Sequence, residues 1–432
     1  MFGLIGDIFK LPDLRRRILF TMGVLFIYRV GAHVPTPGLD ARIFADFFQG
    51  GIMGFLDMFS GGALSRLSVF SLGVAPYINA SIVMQLMIVI FPFLEKLQKD
   101  QEDGRKKIIQ YTRYGAVFFA VVQAVGLTTL MNAQGVFTGG FFSAIVVIMT
   151  LTAGSITVMW LGEEISDHGI GNGISIMIFS GIIVRIPGAI ITTFTELRHG
   201  EINILTILAF FVLILMVVAG CIVLQEGQRR LPVQYAKRVV GNKVYGGQST
   251  FIPLKVNQAG VIPIIFASSL LIFPPMIASM LGDGAISLRV QGWFSEAHIV
   301  YILSYVALIV FFAYFYTAVV FNPNDISNNM KKHGGFILGI RPGQPTTDYI
   351  TKVMERITLG GAIMLAIIAI IPNVVSIIMR GGPMFHFGGT AVLIVVGVAL
   401  DTVRQVEAQL LMRHYDGILK KSGGKAGSLL RT

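Results

Sequence analysis

The feature that most constrains this chain is a repeated length. Ten apolar runs, each near the ~20 residues that carry a helix across a bilayer core, lie at 18–34, 72–91, 114–132, 141–161, 173–194, 203–224, 259–281, 299–321, 357–378 and 389–411. Strands of a membrane barrel would instead show short segments of alternating polarity. With 54% hydrophobic and only 13% charged residues, the 432-residue chain lacks the polar surface of a soluble fold. The expected fold class is an all-α polytopic membrane protein with ten transmembrane helices. Arg15-Arg16-Arg17 before the first run could mark a secretory signal. Pro35-Thr36-Pro37-Gly38 follows it in place of a small-residue cleavage site, so the run reads as a retained span.

Basic residues give the spans a direction. With the N-terminus in the cytoplasm, the cytoplasmic segments carry 26 of the 34 Lys and Arg. External loops carry five (Arg42, Arg66, Arg198, Arg289 and Arg380), and Arg29, Arg185 and Arg404 sit inside spans. That asymmetry predicts both termini in the cytoplasm.

A decad occurs twice. Leu72-Gly73-Val74-Ala75-Pro76-Tyr77-Ile78-Asn79-Ala80-Ser81 returns as Ala259-Gly260-Val261-Ile262-Pro263-Ile264-Ile265-Phe266-Ala267-Ser268, matching at six of ten positions. Such residues are common in apolar segments, so the match gains weight from topology. The copies open spans two and seven, which leaves five spans to each half. An odd number reverses the second half, giving an inverted repeat. The expected halves are 1–197 and 198–432, joined through the external link Glu196-Leu197-Arg198-His199-Gly200-Glu201.

The segments between spans differ in character. Residues 1–17 read as an amphipathic interfacial helix. Met53 to Leu67 is apolar yet too short to cross the bilayer, and its Phe55, Leu56, Met58 and Phe59 favour a short helix folded back into a cavity. Glu95 to Arg113 reads as a basic cytoplasmic loop, and Gly162 to Gly173 as a tight polar turn. Two long cytoplasmic loops, 225–257 and 322–356, mix basic with apolar and turn residues, which suits docking on an acidic protein surface or RNA phosphates. Alternation from Lys243 through Phe251 predicts a hairpin there.

Catalytic patterns are missing. No HExxH, GxSxG, Walker A or GxGxxG motif is present, so an enzyme is not expected. Glu163, Glu164, Asp167 and His168 match no metal-ligand spacing. Cys221 is the single cysteine, which argues against disulfides, and no cofactor is expected. Asp401 and Arg404 lie three apart on one face of the last span and can offset each other's burial. Arg29 and Arg185 lie near span ends, where they can snorkel. Few carboxylates fall inside the spans, which weighs against an ion-coupled transporter. An aliphatic pathway remains, with Ile78 and Ile265 at equivalent positions of the decad, and branched aliphatics make a constriction that dewets. A secondary transporter and a membrane scaffold without a pore are the competing readings.

Particular motifs carry a closer likeness. Phe59-Ser60-Gly61-Gly62-Ala63-Leu64-Ser65 precedes Leu72-Gly73-Val74-Ala75-Pro76-Tyr77-Ile78. Gln110-Tyr111-Thr112-Arg113-Tyr114-Gly115, Gly169-Ile170-Gly171-Asn172-Gly173-Ile174-Ser175 and Pro253-Leu254-Lys255-Val256-Asn257 follow. Phe321-Asn322-Pro323 and Gly339-Ile340-Arg341-Pro342-Gly343 complete the set. Over nearly its whole length the chain resembles the SecY family, the pore subunits of the bacterial protein-translocation channel.

The resemblance implies two inverted five-helix halves around an hourglass pore. Its constriction ring would be Val74, Ile78, Ile178, Ile265 and Ile394, with Val395 the alternative to Ile394. The segment at about 55–66, including Phe59, Ser60, Gly61, Gly62, Ala63, Leu64 and Ser65, would be the plug. Pro76, Gln85, Asn257 and Pro263 would belong to a lateral gate. Arg229, Arg230, Lys237, Arg238, Lys331, Lys332 and Arg341 would dock the ATPase SecA or the ribosome. Implied partners are SecE and SecG in a heterotrimer, unfolded preproteins and signal sequences, membrane lipids, and SecDF and YidC. The implied location is the bacterial cytoplasmic membrane.

Overall fold

A computed structural model describes residues 12–37, 39, 57, 60–100, 102–133, 140–200, 202–235, 238–240, 243–245, 249–280, 284–295, 298–378 and 389–426. In chain order the elements are α1 (Pro12–Gly31), α2 (Ala75–Ile90), α3 (Pro92–Lys99), α4 (Glu102–Ala133), α5 (Phe141–His168), α6 (Gly173–His199) and α7 (Ile204–Glu226). Strands β1 (Gln228–Tyr235), β2 (Arg238–Val240), β3 (Lys243–Tyr245) and β4 (Ser249–Lys255) follow. Then come α8 (Ile262–Leu271), α9 (Phe273–Met280), α10 (Ala285–Trp293), α11 (Ile299–Val320), α12 (Pro323–Lys332), β5 (Gly335–Phe336), α13 (Gln344–Ile378) and α14 (Gly389–Ala426).

Each of the ten apolar runs is mainly helical over its described residues, with turns or bends at 32–34, 72–74, 259–261 and 272. Among the described residues, six helices are long and apolar enough to cross a membrane, or seven if the bent α2–α3 pair counts as one span. The first run lies in α1, which also carries Arg15, Arg16 and Arg17. The seventh is not one helix but two short ones, α8 and α9, because Pro274 and Pro275 lack the N–H groups that would continue the ladder. Many large apolar side chains remain exposed on the helices, among them Phe26, Phe118, Phe142, Phe194 and Leu205. Bilayer lipid is the environment in which that surface is stable.

Several helices reach further than their apolar runs. The helix α1 begins at Pro12, so the three arginines form its first turns; residues 1–11 of the expected interfacial helix lie outside the described residues. In α4, residues 102–113 are helical where a loop was expected. Between α2 and α3 the chain bends by 102°, at Phe91, whose extended conformation is what a following proline enforces. The helix α5 runs through Glu163 and Glu164 to His168, so the polar turn contracts to residues 169–172. Glu163 is paired there with Arg113 at 2.9 Å and Glu164 with His168 at 3.1 Å.

The described residues form two compact units. The first gathers Met1–Ser81, Ile109–Pro187 and Val398–Thr432, and the second Ile82–Ile108 and Gly188–Gly397. These contact units are assembled differently from the two sequence halves. In the first unit α1 packs on α5. Arg17 Nη1 of α1 donates to Gly169 O at 3.3 Å, and Thr21 Oγ1 accepts from Ile170 N at 3.2 Å. Both contacts hold the α5–α6 turn. In the second unit α8 packs on α11, and α13 contacts α7, α11 and α12.

The two long loops of the second unit form one subdomain. Strand β1 pairs antiparallel with β4 from Gln228↔Lys255 to Gln234↔Ser249, and β2 pairs with β3 beyond them. The ladder is therefore longer than the hairpin expected at 243–251. Strand β5, from the other loop, pairs with β1 only at Gln234 and Tyr235. Pro232 consequently lies on a stretch of β1 with a single paired edge, where a missing N–H costs little. Leu231, Val233, Leu254, Met330, Ile337, Ile350 and Met354 bury together, drawing residues from both loops into one core.

Candidate functional site

The repeated decad has the same backbone twice. Gly73 has φ +53° and Gly260 φ +62°, the left-handed region in which glycine carries no Cβ penalty. Ala75 N donates to Leu72 O at 3.3 Å, and Ile262 N to Ala259 O at 3.4 Å. Ile78 N then donates to Val74 O at 3.1 Å, and Ile265 N to Val261 O at 3.2 Å. A proline is the second residue of each helix, α2 and α8, where its missing N–H is not needed. The two glycines are also fixed by their own units: Ser155 Oγ of α5 donates to Gly73 O at 3.2 Å, and Asn257 Nδ2 donates to Gly260 O at 2.8 Å.

The aliphatic candidates are all buried. Val74, Ile78, Ile178, Ile265 and Ile394 are 2%, 4%, 1%, 5% and 0% exposed. In the first unit, α2 packs through Tyr77 and Ala80 against Ala116 and Phe119 of α4 and Ile156 and Met159 of α5. In the second, Gly397 of α14 lies so close to Val261 that a Cβ there would overlap its side chain. Ile394 and Ile265 each sit one helical turn from that contact. Pro76 and Pro263 are buried, and Gln85 and Asn257 are half-buried.

The segment leading to α2 is held inside the first unit. Asp57, Ser60, Ala63 and Leu64 are buried, whereas Phe59 lies outside the described residues. Over 60–67 its course is a succession of turns, with Gly61 and Gly62 at φ +66° and +81°. Asp57 is helical, and the other residues of 53–59, in the stretch where a short helix was expected, lie outside the described residues. Leu64 and Leu67 join Ala124, Leu127, Met131, Val147 and Leu151 of α4 and α5 in one cluster. Gly61 meets α6 backbone to backbone: a Cβ on it would come within 2.9 Å of Gly181 Cα. Gly181 is three residues beyond Ile178 and four before Arg185, so all three share one face of α6.

Arg29 and Arg185 do not reach outward, as snorkelling would require. Arg29 Nη1 donates to Gly61 O at 2.8 Å, and Arg185 Nη2 lies 3.4 Å from Asp57 Oδ2. Tyr28 OH donates to Ser60 O at 3.1 Å. Sequence reasoning missed these anchors. The signal was available in Asp57, an acid inside an otherwise apolar stretch. Arg404, by contrast, does lie beside Asp401, at 3.8 Å.

The basic candidates decorate the loop subdomain. Arg229, Arg230, Lys331, Lys332 and Arg341 are exposed. Arg230 stacks over the Phe251 ring at 4.7 Å, a cation–π contact that stiffens its side chain. Arg238 lies in β2 opposite Tyr245, and Lys237 lies outside the described residues.

Comparison with known proteins decides the family. The SecY family model matches residues 68–403. A protein translocase subunit SecY of Streptomyces galbus is 45% identical, over 95% of this chain and 98% of its own length. The chain belongs to the SecY family. Among solved structures, a SecY described by a plug domain that stabilises the closed state of its translocation channel superposes with a TM-score of 0.62. It is 20% identical and the match covers 94% of this chain and 96% of that one. Sec61 from a canine ribosome–channel complex gives a TM-score of 0.59 at 20% identity, over 94% and 96% of the two chains. The all-α, polytopic SecY fold is thus shared across distant members, and this SecY-family chain is a multi-pass membrane protein and a protein translocase subunit.

Proposed function

We propose that this chain is the pore-forming subunit of a protein-conducting channel, passing unfolded secretory polypeptides across the cytoplasmic membrane and releasing apolar segments sideways into lipid. The single observation that carries the reading is the matched start of α2 and α8, with buried Ile78 and Ile265 at equivalent positions. Val74, Ile78, Ile178, Ile265 and Ile394 form the constriction ring, sealing by dewetting without binding ions. The segment at about 55–66, with Phe59, Ser60, Gly61, Gly62, Ala63, Leu64 and Ser65, acts as the plug that a passing chain displaces.

Pro76, Gln85, Asn257 and Pro263 belong to the lateral gate, where the few backbone hydrogen bonds at each glycine let the helix start shift. The inverted halves are 1–197 and 198–432, with both termini and the loop subdomain on the cytoplasmic side, as the excess of basic residues there supports. The motor ATPase SecA or the ribosome docks on Arg229, Arg230, Lys237, Arg238, Lys331, Lys332 and Arg341. SecE braces the two halves, SecG binds peripherally, and SecDF and YidC associate with the assembled channel.

The test is transport of an unfolded preprotein into vesicles reconstituted with the chain and its partner subunits. Motor-dependent uptake supports the reading. Uptake of a small solute by the chain alone, with no preprotein transport, would overturn it in favour of a transporter.

A further inference from the structure

Two arginines from different helices converge on one short stretch of chain. Arg29 on α1 binds the Gly61 carbonyl at 2.8 Å, and Arg185 on α6 faces Asp57 at 3.4 Å. The Asp57 side chain is only 2% exposed, against 36% for Arg185. Its other oxygen, Oδ1, accepts from Ser65 N at 2.8 Å and Ser60 Oγ at 3.4 Å, so this one carboxylate ties both ends of the 57–65 segment. A buried carboxylate is tolerated when it is paired and hydrogen-bonded, and is costly once its cation is removed. Gly61 and Gly181, touching through their backbones, fix where the segment meets α6. No such polar set is needed to pack apolar turns against a helix, since Leu64 and Leu67 already do that.

We infer that Arg29 and Arg185 are positioning residues that clasp the 57–65 segment in its seat, with Asp57 as the charged counterpart, and that displacing the segment requires separating the Asp57–Arg185 pair. The inference rests on the plug reading above and names what holds the plug shut. Arg185 stands two turns beyond Ile178 on the same face of α6, so the clasp and a ring residue share one rigid element.

The experiment measures resting ion efflux and preprotein transport in vesicles holding the complete translocase complex. Deleting residues 60–65 should raise efflux; if it does not, the plug reading falls and the clasp with it. R185A should raise efflux about tenfold or more, because it leaves the buried Asp57 carboxylate without its cation. D57N should do the same because a neutral amide no longer attracts Arg185, and preprotein transport should persist in both. Exchanging the charges in D57R/R185D should return efflux toward the unaltered level. Sealed vesicles with both single variants, alongside leaky vesicles with the deletion, would overturn the clasp and leave the plug standing.

A labelling measurement keeps the inference testable if a variant transports poorly. With Cys221 replaced by Ser, an S65C thiol should react faster with an aqueous maleimide in the R185A background than beside native Arg185. Equal labelling rates would also overturn the clasp.

Discussion

Gly73 and Gly260 adopt the same left-handed backbone, φ +53° and +62°, two residues before the helices they introduce. Each is surrounded by the same pair of hydrogen bonds at equivalent positions of the decad. A resemblance first visible as letters is therefore a resemblance of conformation. Spans two and seven thus open on the same local structure, a left-handed glycine free of Cβ strain followed by a proline that donates no bond.

Replacing either glycine tests this shared start directly. A Cβ in the left-handed region costs roughly 1–2 kcal/mol, so G73V and G260V should each lower thermal stability in detergent by an amount of that order. The two losses should be similar, and thermal unfolding followed by fluorescence of a thiol-reactive dye at Cys221 reads both. A loss at one glycine alone would separate the two copies.

Polar replacements in the ring test the seal. I78N and I265N introduce amides where the native side chains are 4% and 5% exposed. Resting conductance across a planar bilayer should rise in each, with the double variant at least as conductive as either single. Unchanged conductance would remove these residues from the constriction.

Arg341 isolates docking from folding. Its side chain is exposed, and the one contact described for it is its carbonyl, which accepts from Thr346 Oγ1 at 2.9 Å. R341E should therefore leave stability within about 0.5 kcal/mol of native, as surface substitutions usually do. Motor-driven preprotein transport should fall several-fold, and a binding titration with the motor ATPase should show the matching loss of affinity.

The core of the loop subdomain predicts a shared failure. Leu231 and Met354 come from different loops yet are 3% and 4% exposed in one cluster. L231A or M354A should cost about 2–5 kcal/mol, the usual range for emptying a buried aliphatic site. Limited proteolysis should then cut both loops together, even though each variant alters only one.

Much of this was legible before any coordinates. Apolar runs of span length are a composition signal, and all ten lie mainly in helices over their described residues, the seventh split in two. The decad was legible because its glycine and proline answer a backbone need. What stayed hidden was the pairing of distant segments. Leu231, Met330 and Ile350 each looked like an isolated apolar residue in a basic loop, since nothing local says that two loops share a core. Arg29 and Arg185 were read as snorkelling because a span position gives depth but not direction. The extent of α4 was missed for a related reason: charge in residues 102–113 marks where the bilayer ends, not where a helix does.

Helix α13 runs for 35 residues, and the 28 from Gln344 to Ile371, before Pro372, cover about 42 Å at 1.5 Å per residue. Its first turns supply Ile350 and Met354 to the loop core, and its later turns lie among the apolar helices. One continuous helix therefore joins the loop core to the apolar helices, with no slack chain between them.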